Sequence, residues 1–192
     1  VEADLVVPVP DSGVPAAIGY AQESGIPFGL GIIRSHYVGR TFIQPSDGAR
    51  HADVKRKHNA NRALVEGKRI VLIDDSIVRG TTSTQIIAMA REAGARQVYF
   101  ASAAPPVRFP NVYGIDMPAA NELIAHGRTV EEVREKIGAD WLVYQDLEDL
   151  IECSLEGNPK VDGFESSVFD GQYLAGNIDA VSYTHLRAHE TR

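Results

Sequence analysis

The sequence predicts an α/β protein: a parallel sheet with helices on both faces and one long flexible loop. Three observations carry that reading. Short β-branched runs such as LVVPV and IVLI alternate with longer stretches of helical period. The first and central runs each end in a turn built from Asp, Gly and hydroxyl residues, so polar groups collect at one edge of the sheet. Between Arg34 and Asp53 no period is sustained and Gly and Pro recur, over a stretch longer than an ordinary connection.

Leu5 to Val9 reads as the first strand, stopped at Pro10. Asp11, Ser12 and Gly13 form a turn, and Pro15 sits where a helix tolerates proline, so a helix is expected from Ala16 to Ser24 with Gly25 as its stop. Gly29 to Ile33 reads as a second strand. After the long loop, Lys55 to Val65 is expected to be helical, closed by Glu66-Gly67-Lys68. Gln97 to Ala103 makes another strand, ended by Pro105-Pro106. The stretch 109–118 reads as a loop and short strand, with a helix from about Asn121 to Ala125. Thr129-Val-Glu-Glu132 is close to a capping box and opens a helix that closes at Gly138. Asp140 to Tyr144 is a short strand. Gln145 to Ile151 is an amphipathic helix whose acidic residues, Asp146, Glu148, Asp149 and Glu152, read as its wet face.

The chemistry concentrates between Ile70 and Ala95. The strand Ile70 to Ile73 delivers Asp74 and Asp75 to the sheet rim, and Ser76, Ile77, Val78, Arg79, Gly80, Thr81 and Thr82 follow as a tight turn. Such a turn points several backbone N–H groups at one anion. Ile86, Ile87, Met89 and Ala90 then recur at helical spacing from Thr84 to the stop at Gly94. Strand, acidic pair, turn and helix N-terminus together make a phosphate cradle beside a site for a divalent cation. A P-loop would need G-x-x-x-x-G-K-[ST] and a dinucleotide fold G-x-G-x-x-G, and neither pattern occurs.

The chain has 192 residues, 44% of them hydrophobic, enough for one domain with a real core plus tails. A formal charge of −7 argues against a general polyanion binder, so no nucleic-acid partner is expected. Arg50, Lys55, Arg56, Lys57 and Arg62 form a local basic cluster suited to a small anion. Cys153 is the only cysteine; it excludes a disulfide framework and a cysteine-ligated iron–sulfur cluster, and it suits a reducing, cytoplasmic setting. No apolar run reaches the roughly 20 residues of a membrane span. His185 and His189 lie in AVSYTHLRAHETR, which resembles translated vector sequence and is set apart from the fold.

Read together, DDSIVRGTTS, YVGRTFI, KHNANRA and the Y-G-I-D segment at Tyr113 to Asp116 resemble the amidophosphoribosyltransferases, in family order and over about Val1 to Asp179. The resemblance implies a type I phosphoribosyltransferase fold. It implies that Asp74 and Asp75 bind ribose hydroxyls and Mg2+, with Ser12 near the metal and the pyrophosphate. Residues 76–82 would hold the 5-phosphate, and Tyr37, Arg40 and Thr41 would belong to a hood that closes over the substrate, with Lys55 and Lys57 at its return. The reaction implied is displacement of pyrophosphate from 5-phosphoribosyl pyrophosphate by ammonia, the first step of de novo purine biosynthesis. In that family glutamine supplies the ammonia through an amino-terminal domain with a first-residue cysteine. This chain opens at Val1, shortly before a strand, and is expected to be a fragment without that domain. The expected branch has no iron–sulfur cluster, because Asn111 and Ser166-Ser167 offer no thiols.

The resulting division is 1–152 for the phosphoribosyltransferase domain, 153–179 for a helical or irregular extension of it, and 180–192 for a non-native tail. Purine nucleotides as feedback inhibitors and assembly into a homo-oligomer are further expectations of the resemblance. Two rival functions share the Asp-Asp turn: a phosphoribosyltransferase that uses a nucleobase, and a regulator that keeps the pocket as a sensor.

Overall fold

The computed structural model describes residues 1–35, 58–158, 160–174 and 176. Its centre is a parallel sheet of β1 (Leu5–Pro8), β4 (Arg69–Asp74), β5 (Gln97–Ser102) and β6 (Trp141–Tyr144), side by side in that order. β4 is buried along nearly its whole length, which is why its sequence runs apolar rather than alternating.

Helices cover both faces. Val6, Val71 and Ile73 point to the face where α1 (Val14–Ser24) lays Ala17 and Ala21. Val7, Ile70, Leu72, Val98 and Phe100 point to the other, where α3 (Thr81–Glu92) and α4 (Val130–Ile137) supply Ile86, Ile87, Ala90, Val133 and Ile137. The period-two alternation of each strand sorts these sets. Burying one such Ile or Leu side chain contributes about 1.5–3 kcal/mol.

The chain changes direction beside β1. After α1, Phe28 bridges to Val6 in parallel, on the side of β1 away from β4, with Val6 donating to the Pro27 carbonyl and Gly29 to the Val6 carbonyl. The chain then returns to build β4. The carboxyl ends of β1 and β4 therefore flank a topological switch point, where open α/β sheets hold their ligands.

Three expectations change here. The expected helix from Lys55 to Val65 is replaced, from His58 onward, by β3 (His58–Ala60) and a single turn α2 (Arg62–Val65). β3 pairs antiparallel with β2 (Ile32–Arg34), Ile32 being buried against the core, and that pairing outcompetes helix propensity. The stretch 109–118 contains no strand; the Asn111 side chain accepts from the N–H groups of Tyr113 and Ile115 and holds a turn instead. The helix expected at 121–125 is a short 3-10 turn, Ala120–Glu122.

Elsewhere local chemistry matches. Thr129 and Glu132 form the full capping box of α4, and Gly138 ends it at φ 77°. α5 (Leu147–Leu155) is capped by Asp146, with Glu148, Asp149 and Glu152 exposed. The division proposed between 152 and 153 falls inside this helix. A last short helix, α6, spans Ser167–Asp170. Among the described residues no helix is long and apolar enough to cross a membrane.

Candidate active site

A cavity of about 460 Å³ opens at the switch point, lined by Ser12 from the β1 loop, Asp74 and Asp75 from the end of β4, and Ser76, Val78, Arg79, Gly80, Thr81 and Thr82 from the turn. The two strand–turn–helix units meet directly: the Ser12 hydroxyl donates to the Asp74 carboxylate. Parallel register makes this possible, because Pro8 lies opposite Ile73 and both chains turn at the same level.

Asp74 and Asp75 differ in environment. Asp74 is 6% exposed and accepts from the backbone N–H of Asp75 at 2.9 Å, while Asp75 is exposed and accepts from the Ser76 hydroxyl at 3.1 Å. Burial pushes the Asp74 carboxyl up to about 7, with the charge of Asp75 adding to it and the hydrogen bonds from Asp75 N–H and Ser12 pulling back. A cation would relieve both the burial cost and the repulsion.

The turn leads straight into a helix. Gly80 stands at φ 77° as the N-cap of α3, a conformation that costs glycine nothing, and its carbonyl accepts from the Thr84 N–H and hydroxyl, each at 2.9 Å. α3 thus starts at Thr81, earlier than its apolar period indicated. Gly80 supplies no capping side chain, so the first N–H groups of α3 lie at the cavity wall without one.

Ile77 is an exception among the turn residues. Its side chain is 1% exposed and packs in the main core, so it anchors the turn and offers the cavity no side-chain contact. Tyr37, Arg40, Thr41, Lys55 and Lys57 lie outside the described residues. His58 is the residue that sequence reasoning missed: it is 9% exposed and lines the cavity. Its signal is the alternation of β3, in which His58 points inward and Asn59 outward, and that pattern spans too few residues to be recognised alone.

The donor set suits magnesium. Two carboxylates and a hydroxyl are hard oxygen ligands, and Mg2+ binds through one or two carboxylates while keeping waters and substrate oxygens. Among the described residues no group of three His, Cys, Asp or Glu gathers.

No family model matches the chain. Over 178 residues it is 54% identical to the amidophosphoribosyltransferase of Pseudomonas aeruginosa, a match covering 93% of this chain and 36% of that relative. The enzyme of the same name from Escherichia coli is 55% identical over 178 residues, with 93% and 35% covered. A solved structure described as glutamine phosphoribosylpyrophosphate amidotransferase from B. subtilis, complexed with ADP and GMP, aligns with a TM-score of 0.78 at 49% identity, over 91% of this chain and 38% of that one. The chain spans little more than a third of the length of these relatives.

Proposed function

From the premise that this chain belongs to the amidophosphoribosyltransferase family, along 93% of its own length and about a third of its relatives', we propose that it carries the phosphoribosyl-transfer site of such an enzyme. The reaction is displacement of pyrophosphate from 5-phosphoribosyl pyrophosphate by ammonia, giving 5-phosphoribosylamine for purine synthesis. In the full-length protein glutamine supplies the ammonia. The observation that carries the reading is the meeting of Ser12, the Asp74-Asp75 pair and the Gly80 to Thr82 turn around one cavity at the switch point.

The assignment of roles follows the chemistry of each group. The N–H groups and hydroxyls from Ser76 to Thr82 take the 5-phosphate, as an uncapped helix start takes an anion. Asp74 and Asp75 accept from the ribose hydroxyls and orient the ring. Ser12, on the neighbouring loop, faces the pyrophosphate. Tyr37 and Arg40 in the hood, with Lys55 and Lys57 at its return, neutralise the leaving group and exclude water. Asp74, Asp75 and Ser12 would hold Mg2+, which when bound supplies Lewis-acid stabilisation of the departing pyrophosphate. Ammonia is already nucleophilic, so no general base is assigned.

Residues 1–152 form the phosphoribosyl unit in this reading, 153–179 its extension and 180–192 a non-native tail. Regulation by purine nucleotides and homo-oligomeric assembly belong to the same proposal. So does a cytoplasmic setting, which suits the exposed single thiol of Cys153.

Incubating the chain with 5-phosphoribosyl pyrophosphate, Mg2+ and ammonia tests the proposal, with pyrophosphate release as the readout. Ammonia-dependent release supports it. Release that requires a nucleobase instead would assign a different transferase, and binding without release would assign a sensor.

A further inference from the structure

The cavity wall holds one imidazole among its described residues, that of His58, and none of the roles assigned above uses it. His58 opens β3 and is 9% exposed, whereas Asn59 beside it faces solvent. Burying a polar ring costs free energy unless it finds partners, and this ring is engaged within the fold. An imidazole carries two ring nitrogens, so one can be held by the protein while the other serves a bound group.

Two neighbours fix where His58 lies. β3 packs against α3, whose first turn, Thr81, Thr82 and Ser83, shares the cavity wall with His58. The N–H groups of that turn have no intrahelical partners, so an anion placed there is met by the helix start and, from outside the helix, by β3. On the partner strand β2, Arg34 lies opposite His58, and Arg34 Nη1 donates to Asp11 Oδ2 at 2.8 Å. Asp11 precedes Ser12 in the β1 loop, so the end of the ribbon that bears His58 is tied to the cavity rim. A half-exposed ion pair of this kind adds little stability, but it fixes direction. His58 therefore reaches the cavity on a paired strand, with little side-chain order left to impose when a ligand arrives.

We propose that His58 is a further binding residue of this cavity, donating a ring N–H to an oxygen of the phosphate held at the first turn of α3. The inference rests on the phosphoribosyl reading of the cavity, in which that group is the 5-phosphate, and it adds a side chain from a strand outside the phosphate turn. A hydrogen bond to a charged oxygen is among the stronger ones available to a side chain. The 5-phosphate takes no part in the displacement, so the contact is the same in the ground state and the transition state. Its loss raises KM and leaves kcat nearly unaltered.

Calorimetric titration of the 192-residue chain with ribose 5-phosphate tests the contact without turnover. Saturable binding by the parent is expected, weakened about tenfold in His58→Leu, the loss of one hydrogen bond to a charged group. His58→Gln, whose amide keeps an N–H donor, is expected to bind within about threefold of the parent. His58→Leu sets an apolar side chain in the same buried place, so its melting temperature should equal or exceed the parent's. If His58→Leu does not fold, His58→Met, which adapts to irregular space, carries the same expectation. With 5-phosphoribosyl pyrophosphate, Mg2+ and ammonia, KM for pyrophosphate release should follow the same order. No saturable binding of ribose 5-phosphate by the parent, equal affinities in the parent and His58→Leu, or equal losses in the Leu and Gln variants would overturn the proposal. Failure of the transfer reading looks different: the parent then releases no pyrophosphate, while ribose 5-phosphate still binds in the order parent, Gln, Leu.

Discussion

Gly13 presses against the carbonyl oxygen of Ile73 so closely that a Cβ at this position would overlap it; that Cβ would also stand 2.9 Å from the Val9 carbonyl oxygen and 3.1 Å from the Asp74 Cα. The loop carrying Ser12 is thereby seated on the last residues of β4. Gly13→Ala is expected to destabilise by about 1–3 kcal/mol, the usual cost of overpacking against backbone that cannot yield. Gly19→Ala, in the exposed interior of α1 with nothing within 4 Å of the new methyl, is expected to stabilise by about 0.5–1 kcal/mol. Urea unfolding of the two variants checks the contrast, and equal effects would remove the steric account.

Gly80 meets two constraints at once: its φ of 77° and the Ile124 Cδ1 atom standing where a Cβ would go. Gly80→Ala should cost about 1–2 kcal/mol for the left-handed backbone alone, with a steric part added. Shortening the neighbour in Gly80→Ala/Ile124→Val should recover the steric part and not the backbone part. A double-mutant cycle on unfolding free energies reads the coupling.

Asp74→Asn replaces a buried, ionisable group by a neutral one of the same shape. Because the folded-state value, about 7, lies above the ordinary carboxylate value, the native chain holds the proton more tightly than the unfolded chain. Stability contributed by this difference is full below about pH 4 and is lost as pH rises toward 7. The variant should therefore melt higher than the parent at pH 8 and equal it near pH 4, while binding 5-phosphoribosyl pyrophosphate with Mg2+ at least about tenfold more weakly. A lower melting temperature at pH 8 would contradict the burial argument.

The opposite sign holds at the other end of the sheet. Asp4 accepts from the Arg69 backbone N–H at 2.8 Å, from Nε at 3.1 Å and from Nη2 at 2.8 Å, and these bonds hold its carboxyl down at about 2. Its contribution is present above the unfolded value near 4 and is lost as pH falls toward 2. Asp4→Asn should lower the melting temperature at pH 7 and flatten the acid dependence between about pH 4 and 2. An unchanged acid limb would place the acid sensitivity elsewhere.

Local patterns were enough to locate β1, β4, β5, β6 and the capping box of α4, because a short strand or a helix start depends on neighbours a few residues away. The acidic pair and the glycine turn were legible for the same reason: Asp74, Asp75 and Gly80 belong to one continuous stretch. His58 was not, since its place at the cavity depends on β3 pairing with β2, and that competition between strand and helix is decided by the burial of Ile32. Nor was the turning of Ile77 into the core, which needs the facing helices to be in place.

The sequence by itself determined which residues carry charge, which turns accept an anion and where the chain alternates between strand and helix. Only the tertiary structure decided that Ser12 reaches Asp74, that Asp74 is buried while Asp75 is wet, and that Arg79 faces Glu122. The physical reason is that burial and contact between distant segments are set by strand register and helix packing, which no local window contains.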